Sequence, residues 1–382
     1  ARLPSPFDPD TVLAPAGGPR VVLLRTAGQG VAALRLAIPL QESPAEAGAG
    51  RILRTLALER MESLARPVGA RVAAARTPWG LAYSVEGAAA DFEYLAYLLR
   101  EAVAEPAPSR GVLAEARLTL REEAARFLET PRGRLAADLR AQVAPGVTHP
   151  EGTPATVDGL DQARIREVWR RSHQASSMTL VVSAPVVPEV VLAVSRTMGS
   201  AEADGAPPLD APALPSRGRP SIQSIRSWYG EAFPGESVGD VHGPVVALLV
   251  ADRLRQTRGD YETSVELWEL ADRWVLTILG AAYPRNARPM GTAVTSAVAA
   301  TLEGIESDAV EVAVARIRRT LLLGARTPAG LVEAVGRAME ATGDAGGAAR
   351  QAEALDRVDV ASVRQVLEAL LRRGSVRAEV AR

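Results

Sequence analysis

The sequence predicts an α+β fold of two tandem homologous α/β-sandwich domains, each a sheet covered by helices. Two observations carry this. Residues 200–220, near the middle of the 382-residue chain, hold Gly, Ala, Pro and Ser with almost no periodic apolar signal, as a surface linker would. The halves on either side echo each other: strands, then helices, then a terminal strand, Met178 to Ser183 in the first and Ser375 to Val380 in the second. That repeat is domain-sized and too long for a solenoid unit. The expected division is 1–199, a linker at 200–220, and 221–382.

Within the first half, Arg20 to Arg25 and Val31 to Leu40 are apolar runs with a Gly-containing turn between them, and they predict a hairpin. Asp161 to His173 predicts a helix, with Ile165, Val168 and Trp169 at helical spacing, and Met178 to Ser183 is bounded as a buried strand should be. Apolar residues make up 47% of the chain, ample for a core in each half.

A formal net charge of −1 gives no global field that would point to nucleic acid or an acidic membrane. Every basic side chain is Arg or His, since the chain has no Lys, and Asn occurs only at Asn286. A GC-rich genome explains this most simply, and selection of Arg for bidentate pairing is the alternative. The absence of Cys excludes disulfides, thiolate catalysis and Cys-based zinc sites. No run of about eighteen apolar residues predicts a transmembrane segment. The Pro-rich stretch Leu3 to Pro9 suits the linker left after an export signal is removed. It favours a periplasmic or other extracytoplasmic location, with a cytoplasmic one as the alternative.

The segment Gly48-Ala49-Gly50-Arg51-Ile52-Leu53-Arg54-Thr55 resembles the metal helix of the pitrilysin/insulinase zinc metallopeptidases, the inverzincins, in which a Gly-x-Ala stretch runs into His-x-x-Glu-His. In that family two imidazoles one turn apart hold zinc and the Glu serves as general base. Here the His positions fall on Arg51 and Thr55 and the Glu position on Arg54. A guanidinium keeps its proton near neutral pH, so it neither ligates a cation nor accepts a proton from water. The resemblance extends to Val68–Ala74 and Gly80–Val85 as the next two strands, Phe92–Leu99 as the following helix, and residues 148–154 as part of the section that closes the first domain. The family's third ligand, a Glu with another acidic residue seven positions on, matches Glu115 and Glu122, across a segment shorter than usual. The resemblance implies domains of the processing-peptidase type, forming half of a clamshell, and no cofactor in this chain.

The residues alone offer little other chemistry. His149, His173 and His242 have no neighbours at metal-face spacing and predict structural or solvent-facing roles. No Gly-x-Ser-x-Gly or phosphate loop occurs. Glu122 with Glu123, and Glu266 with Glu269, read as charged solvent faces.

In the family, the second domain carries an Arg and a Tyr that reach across the cleft to the substrate backbone and the tetrahedral intermediate. Leu254 to Val265 resembles that stretch with one residue missing before the Tyr, which makes Arg255 and Tyr261 the candidate clamp. Arg76 and Tyr83 repeat the pattern with full spacing, but in the first domain, and rank second. Both groups donate hydrogen bonds that suit an oxyanion.

The resemblance therefore implies a non-catalytic subunit of a heterodimeric peptidase. Its partner would be a zinc-bearing homologue, with zinc in the partner alone, and its substrate a peptide or leader segment held as an added strand at a sheet edge. A scaffold subunit of a larger complex and a homodimeric peptide-binding protein without protease activity are the alternatives.

Overall fold

The computed structural model describes residues 5–24, 30–145, 152–198, 224–257, 259–270 and 272–380. The expected linker at 200–220, and His149 with most of the 148–154 segment, lie outside them. In chain order the elements are β1 (Thr11–Leu13), β2 (Arg20–Leu24), β3 (Val31–Pro39), α1 (Ala49–Ala65), β4 (Arg71–Arg76), β5 (Gly80–Ala88), α2 (Phe92–Val103), α3 (Arg110–Glu129), α4 (Pro131–Val143), α5 (Pro154–Asp158), α6 (Gln162–Ser172), β6 (Thr179–Ser183) and α7 (Pro188–Ser195). They continue with β7 (Ser227–Ser237), α8 (His242–Gln256), β8 (Tyr261–Glu269), β9 (Arg273–Ala282), α9 (Ala287–Glu303), α10 (Ser307–Gly324), α11 (Pro328–Thr342), α12 (Gly347–Leu355), α13 (Val360–Arg373) and β10 (Val376–Val380).

Contacts divide the chain into two compact units. One comprises Ala1–Ala124, Thr148–Leu214 and Leu321–Arg350; the other comprises Ala125–Val147, Pro215–Thr320 and Gln351–Arg382. The units thus depart from the consecutive division at 199 and 221. Each takes one helical segment from the opposite half of the sequence.

The first unit holds a six-stranded sheet in the order β1-β2-β6-β3-β5-β4. The expected hairpin of β2 with β3 does not form. β6 lies between them, parallel to β2 and antiparallel to β3. Four of its five residues are fully buried, and a short apolar run without polar alternation is the pattern of a strand covered on both faces. Alternation along β3 sends Leu34, Leu36 and Ile38 into the main core with α1, α2 and α6. Ala33, Arg35 and Ala37 fall on the opposite face, where α11 packs against β3 and β6. There Arg35, wholly buried, donates from Nε to Glu333 at 2.8 Å and from Nη2 to Glu340 at 2.6 Å. A methyl group at Gly336 would strike the Arg35 side chain, so the close approach of α11 requires glycine there.

The second unit holds a four-stranded antiparallel sheet in the order β10-β7-β9-β8. It repeats β6-β3-β5-β4 strand for strand. Val275 and Leu279 on one face of β9 meet Leu135 and Leu139 of α4. The alternate positions face α8 and α9, where Met290 and Val294 lie over Gly280.

Candidate functional site

Packing and hydrogen bonds fix α1, the helix whose sequence resembles the family's metal helix. α1 buries Ile52, Leu53, Leu56, Ala57 and Met61, an apolar stripe at helical period against the sheet. Its first turn is anchored by Glu42, whose Oε1 accepts from the Gly50 amide at 2.7 Å and whose Oε2 accepts from Arg76 at 3.0 Å. Burial holds the Glu42 carboxyl above its usual range despite the Arg76 charge.

This framework turns Arg51, Arg54 and Thr55 toward α3. Together with Glu115, Thr119 and Glu123 they line a concave site of about 320 Å³ within the first unit. The three degenerate positions and Glu115, separate in sequence, are thus brought into one pocket. Glu122 is exposed and does not line it. Glu123, expected on a charged solvent face, instead lines this pocket and forms an ion pair with Arg51. The signal was present: Glu115 and Glu123 are eight residues apart, about two turns, and share a helix face. Burial, followed by the charge of Arg51, pushes the Arg54 guanidinium below its usual range.

These residues do not fit a zinc ion. Arg51, Arg54 and Thr55 offer two guanidinium groups and a hydroxyl in place of imidazoles, and the nearby Glu123 carboxylate already pairs with Arg51. Among the described residues no group of three or more His, Cys, Asp or Glu is placed to hold a metal ion.

Tyr83, placed in β5, is completely enclosed in the first core, and its hydroxyl has no hydrogen-bond partner among the described residues. Burial pushes its phenol well above the usual range. Arg76 is committed to Glu42 and to the Thr77 and Gly80 carbonyls. The second-choice clamp is therefore corrected: β5 alternation turns Tyr83 inward with Leu81 and Val85, away from any peptide. In the second unit, Arg255 lies in the last turn of α8, exposed and ion-paired with Asp252, and Tyr261 opens β8, half-buried. His173 is buried against Trp169, and His242 pairs with Asp240 at 2.6 Å. Glu266 accepts from Arg132 and Trp268.

No protein-family model matches the sequence, and no curated protein does. Solved structures do match. An M16 peptidase inactive domain from Pseudomonas fluorescens superposes with a TM-score of 0.79 at 14% identity, over 97% of both chains. A protease from Helicobacter pylori gives 0.80 at 12% identity, over 97% of this chain and 99% of that one. The periplasmic protease PqqL from Escherichia coli gives 0.74 at 13%, with this chain spanning 45% of its length. The fold is that of M16 peptidase-like domains. The resemblance to the pitrilysin/insulinase peptidases and the expected paired sheets covered by helices are borne out at this level. No helix among the described residues of this M16-type fold is long and apolar enough to cross a membrane.

Proposed function

We propose that the chain is the non-catalytic subunit of a two-chain M16-type peptidase and assembles with a zinc-bearing homologue. One observation carries the reading. The fold is of the M16 type, and α1, the helix whose sequence resembles the family's metal helix, presents Arg51, Arg54 and Thr55 to a pocket in which Arg51 pairs with Glu123. A fold preserved around abolished ligands suits a chain retained for binding rather than for metal chemistry.

In this reading the partner holds the zinc, and this chain contributes wall and grip. β4 and β8 end their sheets, and an extended peptide could add to either edge through backbone hydrogen bonds. Arg255 and Tyr261 would donate to the carbonyl oxygen that gains charge during attack. Arg255 has a separate electrostatic task as well, because its guanidinium would orient the ground-state peptide.

The test is co-expression with a homologue from the same genome that retains His-x-x-Glu-His. The expected result is a stable heterodimer that cleaves peptides while this chain alone binds no stoichiometric zinc and cleaves none. In the pair, Tyr261→Phe should lower kcat by about 10²–10³ with assembly and zinc content unchanged. Tight zinc binding by the isolated chain, or a homologue fully active without it, would refute the proposal.

A further inference from the structure

The pocket between α1 and α3 contains two guanidinium groups in unlike circumstances. Arg51 is engaged by Glu123. Arg54, half-buried on the same wall, has no hydrogen-bond or ion-pair partner among the described residues. Dehydration and the adjacent Arg51 charge disfavour its cationic form, Glu123 offsets them only in part, and an entering anion would relieve what is left. Hydroxyl groups of Thr55 and Thr119 line the same space and can donate alongside it. Three carboxylates also line the pocket: Glu59 and Glu115, both exposed, and Glu123, paired with Arg51. Their charges oppose a dianion such as phosphate or sulfate more strongly than a single negative charge.

We propose that this pocket binds one carboxylate of a peptide, with the Arg54 fork as its main ligand. The planar guanidinium matches a carboxylate in bidentate geometry, which a lysine would not reproduce. A volume of about 320 Å³ accommodates a terminal or acidic residue rather than a long segment. The proposal deepens the reading above, since it names the part of a peptide this chain grips. It also gives the residues at the former metal positions a use of their own.

The experiment uses the full chain and three probes followed by calorimetry: N-acetyl-tetra-alanine as the free acid, the same peptide as its amide, and N-acetyl-Ala-Glu-Ala-Ala amide. The free acid or the internal-Glu probe should bind at least about tenfold more tightly than the plain amide. Whichever of the two does so identifies the source as a C-terminus or a side chain. Arg54→Gln should reduce that probe to the level of the plain amide, and Arg54→Lys should weaken it several-fold. Glu115→Gln should tighten it, because a like charge is removed. Unchanged circular dichroism and Tm certify each variant as folded.

Equal binding of all three probes, an unaltered Arg54→Gln variant, or weaker binding by Glu115→Gln would overturn the proposal, as would full competition by equimolar sulfate. None of these readouts involves the homologue, so failure of heterodimer formation and failure of the carboxylate pocket are separately visible.

Discussion

At the scale of single residues, buried charge and buried imidazole make the sharpest demands. Arg35 sits wholly inside the first unit with Glu340 nearly buried beside it, and Thr77 donates to the other Glu340 oxygen at 3.0 Å. Removing one member of such a pair leaves the other charge dehydrated and unpaired, at a cost of about 3–5 kcal/mol. Arg35→Met should therefore lower unfolding free energy by that order in urea titration, and adding Glu340→Leu should recover much of it. His173 makes a different demand. Burial pushes its pKa down to about 3, so the folded chain keeps it neutral where the unfolded chain takes a proton near 6.5. The unfolded state then binds more protons between those values, and stability falls as pH drops below about 6.5, by up to about 1.4 kcal/mol per pH unit from this group. Urea unfolding at pH 7 and pH 5.5 should show that loss in the native chain, and His173→Gln should lack it. Neither demand was legible beforehand. Arg35 reads in sequence as one polar break in an apolar strand, and its partners Glu333 and Glu340 come from about three hundred residues away.

Among the elements, those with strong local periodicity were legible. α6 occupies almost the expected span, with Asp161 capping it by accepting from the Arg164 amide at 2.8 Å. The strands β6 and β10 lie where their apolar patterns place them, and β5 and α2 where the family resemblance does, within a few residues. Pairing was less legible than existence. β2 and β3 looked like a hairpin because they are neighbours in sequence, yet β6, more than a hundred residues later, takes the place between them. β1 was missed altogether, being three residues long with no apolar run to announce it. The geometry of α1 and α3 sets a test of the family register. If Arg51, Arg54 and Thr55 occupy the positions of the ancestral motif, Arg51→His, Arg54→Glu and Thr55→His together should create a zinc site with Glu115 as third ligand. Metal analysis after dialysis should then find about one zinc per chain, lost on adding Glu115→Ala. Zinc retained without Glu115 would move the third ligand elsewhere, Glu123 first, since the triple variant frees it from Arg51.

For the whole molecule, the telling feature is that sequence halves and compact units do not coincide. The internal echo of strands and helices reflects a real repetition of β6-β3-β5-β4 by β10-β7-β9-β8, but the helix on the second face of each sheet comes from the other half of the sequence. α11 lies over Ala33, Arg35 and Ala37 of the first sheet; α4 lies over Gly230, Val275 and Leu279 of the second, where a methyl at Gly230 would strike Leu135 and Leu139. A chain cut at the expected linker should therefore yield two fragments that each leave one sheet face bare. In the first fragment the bare face would expose Arg35 without its carboxylates and a row of small and apolar side chains, and in the second it would expose an apolar patch that water penalises at about 25 cal/mol per Å². Residues 1–199 or 221–382 expressed alone should be aggregated or partly unfolded by circular dichroism and limited proteolysis. Co-expressed, the two should recover each other's helix and copurify as a folded complex with cooperative melting. If either fragment folds alone as a stable, protease-resistant monomer, the exchanged helices contribute little to closing these sheets, and the consecutive division would be the physically meaningful one.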